Sequence, residues 1–176
     1  MELAGSGYLQ TLAVIAITFG AFAGLLVVFR QTIGGRLSEL DLFFIRNTLL
    51  RSFMVAGFSM LPLLLALYEL SPINIWRLSS VITAGALMLF TLITYVQRRS
   101  VSRTPFTKIF RVNAALQMLT ALFLLVVADA RILQPAAGHF SAAVSIVMIT
   151  AIMGYLVQLR LILLQNSRRS PVARRG

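Results

Sequence analysis

A chain of 176 residues in which 59% are hydrophobic and only 12% are charged cannot cover the surface of a soluble globular domain. Soluble domains usually have about a quarter of their residues charged. The chain has no cysteine, which excludes disulfides, iron–sulfur clusters and thiolate metal sites. The composition therefore predicts an all-α integral membrane protein built as one helical bundle.

The formal net charge of +11 does not indicate nucleic acid as a partner, because the cations lie at the ends of apolar runs. Residues that orient membrane proteins are distributed in this way. The largest cluster is the sequence QRRSVSRTPFTKIFR at residues 97–111, which has five cations between two long apolar runs. We interpret this segment as a cytoplasmic loop.

Five apolar runs are long enough to cross a bilayer, which requires about 17–25 helical residues. Their predicted limits are residues 9–29, 52–68, 75–96, 112–128 and 140–157. Residues 1–165 then form a single transmembrane domain. Residues 166–176 contain four arginines and are expected to be a disordered, basic cytoplasmic tail.

The first run has no cation before it, so we expect a retained span rather than a cleaved signal peptide. Ala16, Gly20 and Gly24 recur at every fourth residue of this run and therefore share one helix face. Small residues let two helices approach closely in lipid. This face serves either dimerisation or packing within the monomer, and the four other predicted helices favour packing within the monomer.

The segment before the second span has an amphipathic pattern that Arg46 and Arg51 interrupt. We interpret residues 39–51 as lying at the cytoplasmic interface, with both arginines extending toward lipid headgroups. The alternative is that these residues begin a long tilted helix. Pro62 is expected to kink the second span.

Polar residues in the fourth span form the first candidate site. Asn113, Gln117 and Thr120 lie on one helix face, and side-chain amides are costly where they face lipid. This face should therefore point into the bundle. It either lines a polar path or makes interhelical hydrogen bonds, and we favour the hydrogen bonds because such groups commonly have that role.

The second candidate site is a cluster of Asp129, Arg131 and His139 at the outer end of the last hairpin. A carboxylate, a guanidinium and an imidazole together could gate protons or bind an anion. Charged groups cost little at a helix end, however, so we favour the simpler interpretation of interfacial residues in contact with water.

The sequence lacks the residues of common catalytic and cofactor sites. His139 is the only histidine and cannot supply two haem ligands, and Lys108, the only lysine, lies outside the spans where a retinal Schiff base would form. No Ser–His–Asp arrangement, carboxylate pair or phosphate-binding glycine loop stands out. We therefore expect no enzymatic activity, no cofactor and no metal.

The distribution of cations predicts the orientation in the membrane. With the N-terminus outside and the C-terminus in the cytoplasm, fourteen cations lie on the inner side, against Arg77 and Arg131 on the outer side. We expect an integral protein of the bacterial plasma (inner) membrane, with anionic lipid as a partner on its basic side.

Three function classes are compatible with these features. A structural or regulatory subunit of a membrane assembly agrees best with the lack of catalytic chemistry. The alternative is a small transporter or channel that uses polar groups of spans four and five, and five short helices would have to oligomerise to enclose a path. An intramembrane enzyme is the weakest hypothesis, because titratable groups are not clustered. The expected partners are therefore further copies of the chain or a larger complex.

Overall fold

The computed structural model describes all residues except 1, 2, 4, 33–38, 102–107, 130, 132 and 170–176. The described part contains only helices: α1 (Ser6–Thr32), α2 (Glu39–Ala66), α3 (Pro72–Val101), α4 (Lys108–Asp129) and α5 (Ala137–Arg169). Each helix includes a stretch of at least 20 residues that is apolar enough to cross a membrane. The prediction of an all-α protein with five helices of spanning length is confirmed.

The helices extend beyond the predicted spans at the basic segments. Helix α3 continues to Val101 and α4 begins at Lys108, so much of the predicted basic loop is helical. Helix α5 continues to Arg169, four residues into the predicted tail, and the rest of the tail lies outside the described residues. A charge ends an apolar run but does not end a helix, because arginine is a good helix former.

Residues 39–51 belong to α2 and do not form a separate interfacial helix. The apolar stretch of α2, Ile45–Ala66, contains both Arg46 and Arg51. The side chain of Arg46 is exposed, whereas that of Arg51 is buried. The prediction that Arg51 extends toward lipid headgroups was therefore wrong, because this residue lies on the inward face of its helix.

Helices α2 to α5 form a closed ring in which each helix contacts the next and α5 contacts α2. Helix α1 lies outside the ring, mainly against α2. Arg46 bonds to Gln97 and Arg51 lies over Phe90, so α2 and α3 run antiparallel. Short connections favour this arrangement, since they keep successive helices adjacent.

The two ends of the ring differ in what they bury. We call the end at which α2 and α4 begin the basic end. Amide and guanidinium side chains are buried in the half nearer to it, and in the described part of the chain these are Asn47, Arg51, Arg98 and Gln117. The opposite half contains an apolar core whose fully buried members include Leu87, Leu124, Phe140 and Val144. The half near the basic end thus buries amide and guanidinium groups, whereas the opposite half buries an apolar core together with the hydroxyls of Ser59, Ser79, Ser80 and Thr83.

The small-residue face of α1 packs against α2 of the same chain. Ala16 is fully buried, and a Cβ added at Gly20 would lie 3.1 Å from the Cβ of Ser52. At Gly24 the nearest atom to an added Cβ would be Cδ2 of Leu49, at 3.9 Å. Close approach of α1 to α2 therefore depends most on Gly20.

Helix α2 ends in a turn where Glu69 has a positive φ of 57°. Its N–H donates to the carbonyl of Ala66 at 3.3 Å. Left-handed backbone costs a residue with a Cβ about 1 kcal/mol, a cost that glycine avoids. We expect Glu69→Gly to raise the thermal unfolding midpoint in detergent by about 2–4 °C. Glu69→Ala, which loses the carboxylate but keeps the Cβ, should give no such gain. If it raised the midpoint equally, loss of the charge and not relief of the backbone would be the cause.

Candidate functional site

Arg51 lies in the interior of the ring, with only 8% of the residue exposed. Its guanidinium carbon is 5.7 Å from the ring centre of Phe90 on α3, within the range of a cation–π contact. Among the described residues, no carboxylate pairs with Arg51 and its Nε–H has no hydrogen-bond acceptor. An ionisable group inside a spanning helix is costly and commonly marks a functional site.

Gly154 on α5 lies opposite Arg51 of α2 and Asn113 of α4. A Cβ added at Gly154 would lie 3.8 Å from Nη1 of Arg51 and 3.5 Å from Nδ2 of Asn113. Both nitrogens are hydrogen-bond donors, and both lie close to the same point. The absence of a side chain at Gly154 therefore brings the backbone of α5 close to two donors from different helices.

Gln117 lies about one turn further along α4 than Asn113 and is 1% exposed. Its Oε1 accepts a hydrogen bond of 3.1 Å from the hydroxyl of Thr91 on α3. That hydroxyl also lies 2.7 Å from the carbonyl of Leu87. The Nε2 amide of Gln117 has no acceptor in the part of the chain that the structure describes. Because the Thr91 hydroxyl has one proton for two acceptors, the amide of Gln117 keeps at least one hydrogen-bonding group unfilled in either orientation.

These contacts define a single layer across the ring, which we call the arginine layer. Its members are Arg51, Phe90, Thr91, Asn113, Gln117 and Gly154. All four helices of the ring contribute, and the contacts link α2 to α3, α3 to α4, and α4 to α5 and back to α2. A fixed positive charge and unfilled N–H donors, with no acidic partner described, suit a ligand that carries negatively charged acceptor oxygens.

Two of the three polar residues predicted for the fourth span belong to this layer. Gln117 makes an interhelical contact, and Asn113 faces Gly154. Thr120 is buried as well, but its hydroxyl donates to the carbonyl of Leu116 in its own helix at 2.8 Å. Thr120 therefore satisfies its hydrogen bond locally.

The three residues predicted for the outer end do not come together. Nε of Arg131 lies 3.5 Å from Oδ2 of Asp129, and both side chains are mostly exposed. Such exposed pairs contribute little to stability. His139 instead has its Nδ1 at 3.2 Å from the carbonyl of Gln134 and its ring against that of Phe123. The described contacts do not connect His139 to the ion pair.

A groove of about 640 Å³ lies between the start of α1 and the end of α2. Its lining includes Ser6 and Gln10 from α1 and apolar side chains from α2, among them Met60 and Leu64. None of the residues that line it is charged. The groove offers two polar groups at most and lacks the convergence of donors seen in the arginine layer.

Four members of the arginine layer, Arg51, Phe90, Thr91 and Gly154, are absent from the sites predicted from the sequence. The spacing of Arg51 indicates its direction: it lies three residues after Thr48 and four before Val55, so the three residues share one face of α2, and that face is buried. Phe90 and Gly154 carry no such signal, since their roles depend on which residues of other helices lie opposite them.

Comparisons of this chain with models of known protein families, with curated proteins and with solved structures found no significant match.

Proposed function

We propose that the chain is a non-catalytic, multi-pass membrane protein that serves as a structural or regulatory subunit of a membrane assembly. The supporting observation is the apolar core in the half of the ring opposite to the basic end. Leu87, Leu124, Phe140 and Val144 come from α3, α4 and α5 and are at most 1% exposed. These large apolar side chains occupy the interior there, beside a few buried serine and threonine hydroxyls, which opposes a wide polar path along the axis of one chain.

The proposed orientation places the N-terminus outside and the basic end in the cytoplasm. The excess of fourteen inner over two outer cations supports it. Anionic lipid is then the expected partner of the basic end. Tags on the two termini, probed from outside intact cells, should report opposite sides of the membrane. Detection of both tags on the same side would overturn the threading.

Blue-native electrophoresis with mass spectrometry tests the proposed subunit role. We expect the chain to migrate in a complex of defined composition, well above its own 19.4 kDa and bound detergent. Gln117→Leu removes one interhelical hydrogen bond, worth ~0.6 kcal/mol, and Asp129→Asn removes an exposed charge, so both variants should leave the complex intact. Migration as a bare monomer would contradict the proposal.

A small oligomeric transporter or channel is the second candidate, and the arginine layer favours it. Buried charges inside spanning helices commonly mark solute pathways. Reconstitution in liposomes separates the two proposals. Flux that the folded Gln117→Leu variant abolishes would support the transporter, whereas a subunit should show none.

A further inference from the structure

The charge of Arg51 is the starting point, because the described part of the chain does not neutralise it. Of the carboxylates whose side chains the structure describes, Asp129 is exposed and bound to Arg131, and Glu69 lies in the exposed turn after α2. Placing a charge in a low-dielectric interior costs several kcal/mol unless an opposite charge accompanies it. A counter-ion from outside the chain would remove that cost.

The geometry of the unfilled donors restricts the kind of counter-ion. A guanidinium presents its N–H groups as a planar fork that matches two oxygens of one phosphate or carboxylate. The Nε–H of Arg51 lacks an acceptor, and so does the Nε2 amide of Gln117. A monatomic anion would meet a single point of the fork, whereas an oxyanion meets several donors at once.

Gly154 lies next to the guanidinium. At Gly154 the nearest atoms to an added Cβ belong to Asn113 and Arg51, so this face of α5 has only backbone opposite both donors. The backbone at Gly154 therefore bounds the site on the α5 side and serves as its wall. An alanine methyl at this position would sit at ordinary contact distance from both nitrogens without a clash.

The site lies near the basic end. Arg51 is six residues from Ile45, where the apolar stretch of α2 begins, which is about 9 Å along the helix axis. Exposed Arg46 lies on the same helix nearer to that end, outside the arginine layer.

We propose that the arginine layer binds the phosphate group of a ligand, with Arg51 as the charged anchor, Asn113 and Gln117 as further donors, and Gly154 as the wall. The group comes either from free inorganic phosphate or from an anionic phospholipid headgroup. The site goes beyond the proposed function, since it is the same in a subunit and in a transporter, and it does not depend on orientation.

The test uses the purified full-length chain, freed of lipid in a neutral detergent, with the thermal unfolding midpoint as readout. One arm titrates inorganic phosphate against sodium chloride of equal ionic strength. The other adds phosphatidylglycerol or, as control, phosphatidylcholine to the micelles. A ligand that binds only the folded state raises the midpoint as its concentration increases. We expect a specific rise in at least one arm; phosphate alone indicates a free ion, and phosphatidylglycerol alone a headgroup.

Arg51→Gln should need at least about tenfold more ligand for the same rise, because a charge-assisted hydrogen bond is lost. Arg46→Gln is the matched control: it removes an arginine from the same helix outside the layer and should respond as the wild type does. Gly154→Ala should fold well, since alanine favours helix, and yet respond less, because its methyl lies against the donor nitrogens of Arg51 and Asn113.

No specific rise in either arm would overturn the proposal, as would an unchanged response in Arg51→Gln. If Arg51→Gln yields no folded protein, Gly154→Ala decides the matter, and an undiminished response there would overturn it. Failure of the subunit role leaves these measurements unaffected, because they require only the isolated chain.

Discussion

Gly20→Leu is expected to separate α1 from α2 and to lower the unfolding midpoint by about 10 °C, corresponding to ~3 kcal/mol of overpacking. Even a single methyl at Gly20 would lie 3.1 Å from the Cβ of Ser52, closer than most such contacts. Ser52 is fully buried and cannot move aside without displacing α2. Fluorescence of Trp76, the only tryptophan and itself buried, provides the measurement in detergent.

Gly57→Leu is the matched control, because it makes the same chemical change at a helical position where an added Cβ meets nothing within 4 Å. Both variants gain the same helix propensity and the same apolar surface. The midpoint of Gly57→Leu should therefore stay near or above that of the wild type. Equal losses in the two variants would show that the contact with Ser52 is not what limits the substitution.

The number and approximate position of the helices are predictable from the sequence because lipid imposes a length and an apolar composition on each span. The ends are less predictable. A sequence pattern places a boundary at the first charges, so that Arg51 marks the start of span two, whereas the helix continues through it from Glu39. Burial of Arg51 depends on the helix face it occupies, and neighbouring helices decide which face is inside.

Part of the candidate site is predictable for a similar reason. An amide that faces lipid is costly, so the inward direction of Gln117 follows from its position within an apolar run. That Thr91 is its partner cannot be predicted, because the sequence of neither helix determines how far one is shifted along the other. The same holds for Gly154, whose part in the site arises only where Arg51 and Asn113 meet it.

Arg51→Met is expected to raise the unfolding midpoint in neutral, phosphate-free detergent by about 5 °C. Replacing buried charged groups by apolar residues of similar volume commonly stabilises a protein by about 1–4 kcal/mol, since the charge no longer has to be desolvated. Methionine also preserves much of the contact with Phe90, because its flexible thioether packs well against aromatic rings. Arg46→Met is the control: it removes only an exposed hydrogen bond to Gln97 and should not raise the midpoint.

The sign of the effect should then depend on the ligand. Adding phosphate or phosphatidylglycerol stabilises only the protein that retains the guanidinium, so the advantage of Arg51→Met should shrink, and at saturation reverse, while Arg46→Met follows the wild type. A lower midpoint for Arg51→Met in phosphate-free detergent would mean that contacts within the chain already compensate the charge. If the higher midpoint of Arg51→Met is unaffected by either ligand, the charge of Arg51 is buried at a cost in stability and does not bind phosphate. The two measurements together therefore separate a structural arginine from one kept for a ligand.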